Sequence, residues 1–142
     1  MKIEFIIPLT KDLIVSEANR SGEHWTKKHK RHQQQKFLMT AFMTKYYDQF
    51  DFIPIMIEHN ITKELNITLT RIAPRSLDKE ENLPCSVKYF KDYIADFLIP
   101  NKAAGRADDS KQLTWVFKQE KGKPKEYALK VEIASSQNRT DA

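Results

Sequence analysis

The sequence has little of three features that many functional classes need: cysteine, glycine and long apolar runs. Its single cysteine, Cys85, excludes an internal disulfide and is typical of a reducing compartment. Three glycines are too few for a glycine-rich, phosphate-cradling loop. No apolar run approaches the roughly 20 residues of a membrane helix, and the opening MKIEFIIPLTKD lacks the long apolar stretch of a signal peptide. We therefore expect a cytoplasmic protein.

What is present indicates one folded domain. The chain has 142 residues, of which 40% are hydrophobic and 11% aromatic, which is enough to build a core and excludes global disorder. Cysteine and histidine do not show zinc-site spacing, and no serine or cysteine lies in a nucleophile elbow. We predict a domain over residues 1–134, followed by a flexible polar tail over 135–142.

The net charge of +5 is concentrated in one segment, residues 20–36, and the rest of the chain is balanced. This segment has one acidic residue, Glu23, and also carries His24, Trp25, His29 and His32. A basic segment with interleaved aromatic side chains is typical of a nucleic-acid backbone contact, although a solvated helix face would look the same. The residues predicted to contact DNA are Arg20, Trp25, Lys27, Lys28, Lys30 and Arg31.

Apolar periodicity predicts an α+β fold. Alternating residues predict strands near 3–7, 65–70, 113–117 and 127–133, the last two forming a hairpin, and an extended piece at 53–57. A stretch free of glycine and proline predicts a helix over about 25–50, with an apolar stripe that includes Phe37, Ala41, Tyr47 and Phe50. A second helix has Pro84 in its first turn and ends at Pro100, and one of its faces is apolar, with Val87, Phe90, Ile94, Phe97 and Leu98. We expect one domain of order β-α-β-α-β-β, with a mixed sheet and two helices packed on one face.

Acidic residues lie in two loops of this arrangement. Asp78, Glu80 and Glu81 lead into the second helix, and Asp108 and Asp109 precede the third strand. If the sheet brings these loops together, their carboxylates form the oxygen-rich site that Mg²⁺ prefers. Lys88, early in the second helix, could then stabilise charge on a phosphate in its transition state. The alternative is ordinary structure, with the acids as helix caps and turn residues and Lys88 paired with Asp92.

An ordered set of motifs resembles the phage and prophage branch of the RusA family of Holliday-junction resolvases. The resemblance is clear from Leu77 to Ile133 and weaker in the N-terminal half. The matching residues are Leu77-Asp78, Asn82-Leu83, the run KYFKDYIADFL from Lys88 to Leu98, Asp108-Asp109, Leu113-Thr114-Trp115, Lys121-Gly122 and Tyr127 to Ile133.

The resemblance implies a homodimeric, Mg²⁺-dependent endonuclease that cuts four-way DNA junctions in recombination and repair, with Mn²⁺ as an alternative metal. A two-fold enzyme would match a two-fold substrate that needs two symmetric nicks. Carried over by position, the metal ligands are Asp78, Glu81 or Glu80, and Asp109 with Asp108 beside it. Lys88 takes the place of the lysine that supports cleavage, so the implied catalytic set is Asp78, Glu81, Lys88 and Asp109.

The acidic motif departs from the family pattern. The family has Asp-x-Asp-Asn-Leu, whereas this chain has glutamate for the second aspartate and one extra residue between Asp78 and Asn82. Pro84 and a longer loop over 99–107 are further differences. Because Mg²⁺ requires near-octahedral geometry, these changes keep a second interpretation open. In that interpretation the chain is a RusA-like DNA-binding protein with weakened or lost catalysis.

Overall fold

A four-stranded mixed sheet organises the computed structural model, which describes residues 2–16, 22–45, 65–80, 82–99 and 113–135. The strands are β1 (Lys2–Pro8), β2 (Leu65–Ala73), β3 (Leu113–Lys121) and β4 (Ala128–Ser135). The helices are α1 (Trp25–Lys45), α2 (Asn82–Ser86) and α3 (Lys88–Leu98), and a 3₁₀ turn spans Lys11–Ile14. The predicted extended piece at 53–57, the end of the first predicted helix (46–50) and residues 136–142 of the predicted tail lie outside these ranges.

The strand order is β1-β4-β2-β3, and it overturns the predicted hairpin of the last two strands. β4 pairs antiparallel with both β1 and β2, while β3 pairs parallel with β2. After β3 the chain crosses the end of β2, where the Gly122 amide donates to the Ala73 carbonyl at 2.8 Å. Alternation showed which face each strand buries but not its partner. Charged Lys118, Glu120 and Lys121 suit β3 to a sheet edge, whereas the more apolar β2 lies inside.

The helices cover one face of this sheet, which confirms the predicted α+β class. Side chains that are at most 4% exposed line that face on three strands, among them Phe5, Ile67 and Val131, and they form one cluster with Phe90 and Ile94 of α3. The opposite face is polar, with Lys130 contacting Glu4 at 2.9 Å and Glu132 at 3.7 Å. The Lys130 hydrogen bond lowers the pKa of Glu4, as expected for an ion pair.

The second predicted helix is divided at Val87. Its apolar face is as predicted, because Val87, Phe90, Ile94 and Leu98 are fully buried. The hydroxyl of Ser86 donates to the Leu83 carbonyl at 2.7 Å, which is the carbonyl an uninterrupted helix would offer to the Val87 amide. The Val87 amide donates to the Pro84 carbonyl instead, at 3.3 Å. This side-chain competition for a backbone acceptor separates α2 from α3.

The buried stripe of α1 is not the predicted one. Phe37 is 71% exposed and Ala41 is exposed, whereas Arg31, Gln35, Met39 and Met43 are buried. Tyr47 and Phe50, the other two residues of the predicted stripe, lie outside the described residues.

Both polar members of the buried stripe have partners. Gln35 donates to the Leu13 carbonyl at 3.0 Å. The Arg31 guanidinium binds the Glu23 carboxylate bidentately at 2.7 and 2.8 Å, with side-chain exposures of only 6% and 8%. These partners offset the cost of burying the Arg31 guanidinium and the Gln35 amide nitrogen, whereas Gln35 Oε1 is buried without a described partner.

We predict that Glu23→Gln lowers the free energy of unfolding by about 3 kcal/mol, because it leaves a buried guanidinium without its carboxylate. Urea denaturation measures the change. Glu120→Gln, at an exposed position on β3, is the matched control and should shift stability by less than about 0.5 kcal/mol. The double change of Glu23→Leu with Arg31→Met should recover most of the loss. If Glu23→Gln and Glu120→Gln lowered the free energy of unfolding equally, the Glu23–Arg31 pair would not be buried.

Candidate functional site

The loop after β2 folds back over the edge strand β3. The Leu77 amide donates to Gln119 Oε1 at 2.9 Å, and Gln119 Nε2 donates to the Leu77 carbonyl at 2.7 Å. In the sheet register Gln119 is opposite Arg71, two residues before the end of each strand. One side chain thus fixes both polar backbone groups of the residue next to Asp78.

Asp78 caps α2 and remains exposed. Its Oδ1 accepts hydrogen bonds from the Asn82 amide at 3.0 Å and from Asn82 Nδ2 at 2.6 Å, and its carbonyl accepts from the Leu83 amide at 2.9 Å. Ser16 in turn donates to Asn82 Oδ1 at 2.6 Å. Among the described residues Asp78 Oδ2 accepts no hydrogen bond. The capping alternative is therefore correct for Asp78, and one carboxylate oxygen is left over for a ligand.

The other predicted acidic ligands are largely outside the structure's described ranges. Glu80 is exposed in the same loop, while Glu81, Asp108 and Asp109 are not among the described residues. Within the described part of the chain, no group of three or more histidine, cysteine, aspartate or glutamate side chains is placed to hold a metal ion.

The sheet by itself does not bring the two acidic loops to one rim. Because β2 and β3 are parallel, β3 starts beside Leu65, and the end of β2 is eight residues further along. That separation is about 26 Å. The hydrogen bonds of Leu77 to Gln119 shorten the gap to about 20 Å, six residues from the start of β3. Residues 109–113 span at most about 14 Å, so a shared site for Asp78 and Asp109 requires the segment before β3 to run back along the sheet. The shared metal site stays a prediction.

Lys88 is available to a ligand. It is exposed at the start of α3, with Nζ 5.5 Å from the centre of the Tyr89 ring. It forms no ion pair with any described carboxylate, so the alternative pairing with Asp92 is not observed. An exposed, unpaired cation at this position is consistent with the role predicted for Lys88.

The basic half of α1 packs against the first turns of α3, at the end of the helix that carries Lys88. The His32 ring lies 3.7 Å from the Tyr89 ring, centre to centre, and the Tyr93 hydroxyl donates to the His32 carbonyl at 3.2 Å. Burial raises the pKa of Tyr93, which keeps this donor protonated. His32 is therefore a packing residue, whereas His24 and His29 are exposed as part of the predicted basic surface. The contact places the lysines of α1 on the helix pair that also carries Lys88.

Among the predicted DNA contacts, the structure separates exposed residues from one that is buried. Trp25 is 69% exposed, Lys27 and Lys30 are exposed, and Lys28 is half-buried. Arg31 is wrong as a predicted phosphate contact, because its guanidinium is buried and bound to Glu23. Arg20, the remaining predicted contact, lies outside the described residues.

A cleft that the sequence analysis did not predict lies beside Leu77. It has a volume of about 470 Å³, and we call it the Arg71 cleft; its lining residues are Lys11, Val15, Ser16, Arg71, Pro74, Arg75, Leu77 and Tyr127. The sequence signal is weak, because Arg71 shares the inward positions of β2 with apolar residues and so resembles a core position. An arginine in that register was the one available cue.

Comparison with protein-family models and with curated proteins finds no match for this chain. Of the helices that the structure describes, none combines the length and apolar character needed to cross a membrane.

We predict that the capping and charge roles of Asp78 can be separated. Asp78→Ala should lower the free energy of unfolding by about 1 kcal/mol, because the cap of α2 is lost. Asp78→Asn keeps an oxygen at Oδ1 and should stay within about 0.5 kcal/mol of the wild type. Urea denaturation measures both. A loss for asparagine as large as that for alanine would mean that the charge, and not the cap, stabilises the loop.

Proposed function

We propose that this chain is a RusA-like, Mg²⁺-dependent endonuclease that acts as a homodimer on branched DNA, especially four-way junctions, in the cytoplasm. The observation that carries the proposal is the placement of Asp78, Lys88 and the basic half of α1. Asp78 caps α2, Lys88 opens the adjoining α3, and the His32–Tyr89 contact joins α1 to the same turns. Asp78, Lys88 and the lysines of α1 that we propose to bind phosphate thus lie on elements that adjoin or contact one another.

The residues present suit a divalent ion. Asp78 offers a hard carboxylate oxygen, and Glu80 or Glu81 together with Asp109 and Asp108 would complete an oxygen ligand set. Bound Mg²⁺ would supply water activation and neutralise charge at the scissile phosphate. Asn82 orients the Asp78 carboxylate by two hydrogen bonds, and Lys88 would stabilise the extra negative charge on the phosphate oxygens.

DNA recognition would depend on backbone charge and junction shape. Lys27 and Lys30 are exposed one turn apart on α1, and Trp25 offers an aromatic ring at the start of the same helix. Lysine contacts to phosphate carry no base information. Each contact releases condensed counterions, and the affinity should therefore fall steeply with salt.

We predict that Asp78→Asn lowers Mg²⁺-dependent cleavage of a synthetic four-way junction by on the order of 100-fold or more, because a ligand charge is lost while the cap is kept. Cleavage is followed on denaturing gels with end-labelled strands, and binding by gel shift without metal. Glu120→Gln, a carboxylate-to-amide change at an exposed position of β3, should leave cleavage unchanged. Cleavage by the Asp78→Asn variant at the wild-type rate would exclude Asp78 as a ligand.

The second candidate is a RusA-like DNA-binding protein without nuclease activity. Its specific support is that Asp78 has a structural role as the cap of α2, together with the glutamate in the acidic motif. The same experiment decides between the two. Wild-type protein that shifts the junction but leaves it uncut with both Mg²⁺ and Mn²⁺ supports the second candidate.

We predict that the double change Lys27→Gln with Lys30→Gln weakens junction binding and lowers the log–log slope of affinity against salt by about 1.8, because two phosphate contacts are lost. Fluorescence anisotropy over a salt series measures the slope. Lys118→Gln with Lys123→Gln removes the same charge from exposed positions on and after β3 and should leave the slope unchanged. Equal losses in the two double variants would show that only net charge matters.

A further inference from the structure

The Arg71 cleft is strongly basic. Among the described residues its lining includes three cationic side chains, Lys11, Arg71 and Arg75, and no carboxylate. The other buried cation of the described residues, Arg31, is matched by Glu23. Positive charges that line a cleft without a described acidic partner favour a bound anion there.

Arg71 is the deepest of the three cations. It is 7% exposed, and it lies on the helix-covered side of β2, in alternation with Leu69 and Ala73. Its Nε donates to the Ile14 carbonyl at 3.3 Å and its Nη1 donates to the Arg75 carbonyl at 2.7 Å. Both acceptors are neutral, and Nη2 has no hydrogen-bond partner among the described residues.

A guanidinium stays charged even where burial lowers its pKa, as it does for Arg71. Its unpartnered nitrogen is not among the buried unpartnered atoms of the described residues, so it is accessible from the cleft, where an anion can accept its hydrogen bonds. The two carbonyl contacts also hold the guanidinium plane in place, so its remaining N–H groups are oriented before a ligand arrives. A planar donor set of this kind matches the oxygens of phosphate.

The rest of the lining suits more than a bare anion. Val15, Pro74 and Leu77 supply apolar surface, and Tyr127 adds an aromatic ring with a hydroxyl. The volume of about 470 Å³ lies within the range of small-molecule sites. The basic lining residues suit the phosphate of a nucleotide. The apolar lining residues and Tyr127 suit its sugar or base.

We propose that the Arg71 cleft binds a phosphate group, and that a nucleotide unit is its source. The phosphate is bound by Arg71, Arg75 and Lys11. The sugar or base is contacted by Tyr127 and the apolar lining residues. The site does not require the nuclease function, since it holds no metal ligand.

The cleft is connected to the acidic loop. Leu77 lines it and is followed directly by Asp78, while Ser16 lines it and donates to Asn82, the residue that orients Asp78. A ligand in the cleft is thus contacted by the residues that position the Asp78 carboxylate.

The test is a titration of ¹⁵N-labelled protein in EDTA, followed by amide and arginine Nε shifts. The three probes are inorganic phosphate, thymidine 5′-monophosphate and, as a carboxylate control, acetate. Saturable shifts at Lys11, Ser16 and Tyr127 with the two phosphates but not with acetate support the proposal. Tighter binding of the nucleotide assigns it as the source, and equal affinities identify a site for free phosphate. Shifts confined to the lysines of α1, or none, overturn the proposal.

Variants separate this site from general charge. Arg75→Gln and Lys11→Gln change exposed side chains and leave intact the Arg75 carbonyl that accepts from Arg71, and each should weaken nucleotide binding about tenfold. Lys118→Gln and Lys123→Gln are the matched controls and should bind as the wild type does. Equal affinities of the cleft variants and the wild type would overturn the proposal. The binding titration is done in EDTA, without Mg²⁺. Loss of binding in Arg75→Gln therefore tests the phosphate site, whereas loss of cleavage in Asp78→Asn tests the nuclease function.

Discussion

The loops around Asp78 and the Arg71 cleft are joined to the sheet by one buried guanidinium, that of Arg71. It belongs to the inner strand β2, and it donates to the carbonyls of Ile14, at the end of the 3₁₀ turn, and of Arg75, before the acidic residues. Those two loops are joined again by the Ser16–Asn82 hydrogen bond. Arg71 and the Ser16–Asn82 pair are thus two described links between these loops, and with the Gln119–Leu77 pair they hold Asp78 in place relative to the sheet.

The first helix also buries polar side chains, and each of them has a partner in a preceding segment. Arg31 and Gln35 occupy the buried stripe of α1 and reach Glu23 and the Leu13 carbonyl. These contacts fasten the basic half of the helix to the segments before it, while Met39 and Met43 fasten the other half to the core. The lysines that remain exposed are therefore presented by a helix held along its whole described length.

The fold class, the four strands and the face of α3 could be predicted because apolar periodicity reports burial directly. Strand partners could not be, because alternation in β3 and β4 is the same whether they pair with each other or with β2. The stripe of α1 was wrong because Phe37 was assumed to be buried and Arg31 exposed, whereas a bidentate carboxylate reverses that preference. For the site, local spacing indicated the Asp78 cap, but the Arg71 cleft required knowledge of three segments distant in sequence. Convergence of Asp78 with Asp109 is a long-range property, which neither spacing nor the parallel strand pair determines.

The double use of Asp78 has an evolutionary consequence. The cap uses an oxygen that asparagine also has, whereas the proposed chemistry uses the negative charge that asparagine lacks. A lineage could therefore exchange a cutting protein for a purely binding one by replacing a single oxygen with an amide nitrogen, with no accompanying repair of the fold. Selection for the folded state alone would tolerate either residue, so the identity of this position among relatives would record whether catalysis was being maintained.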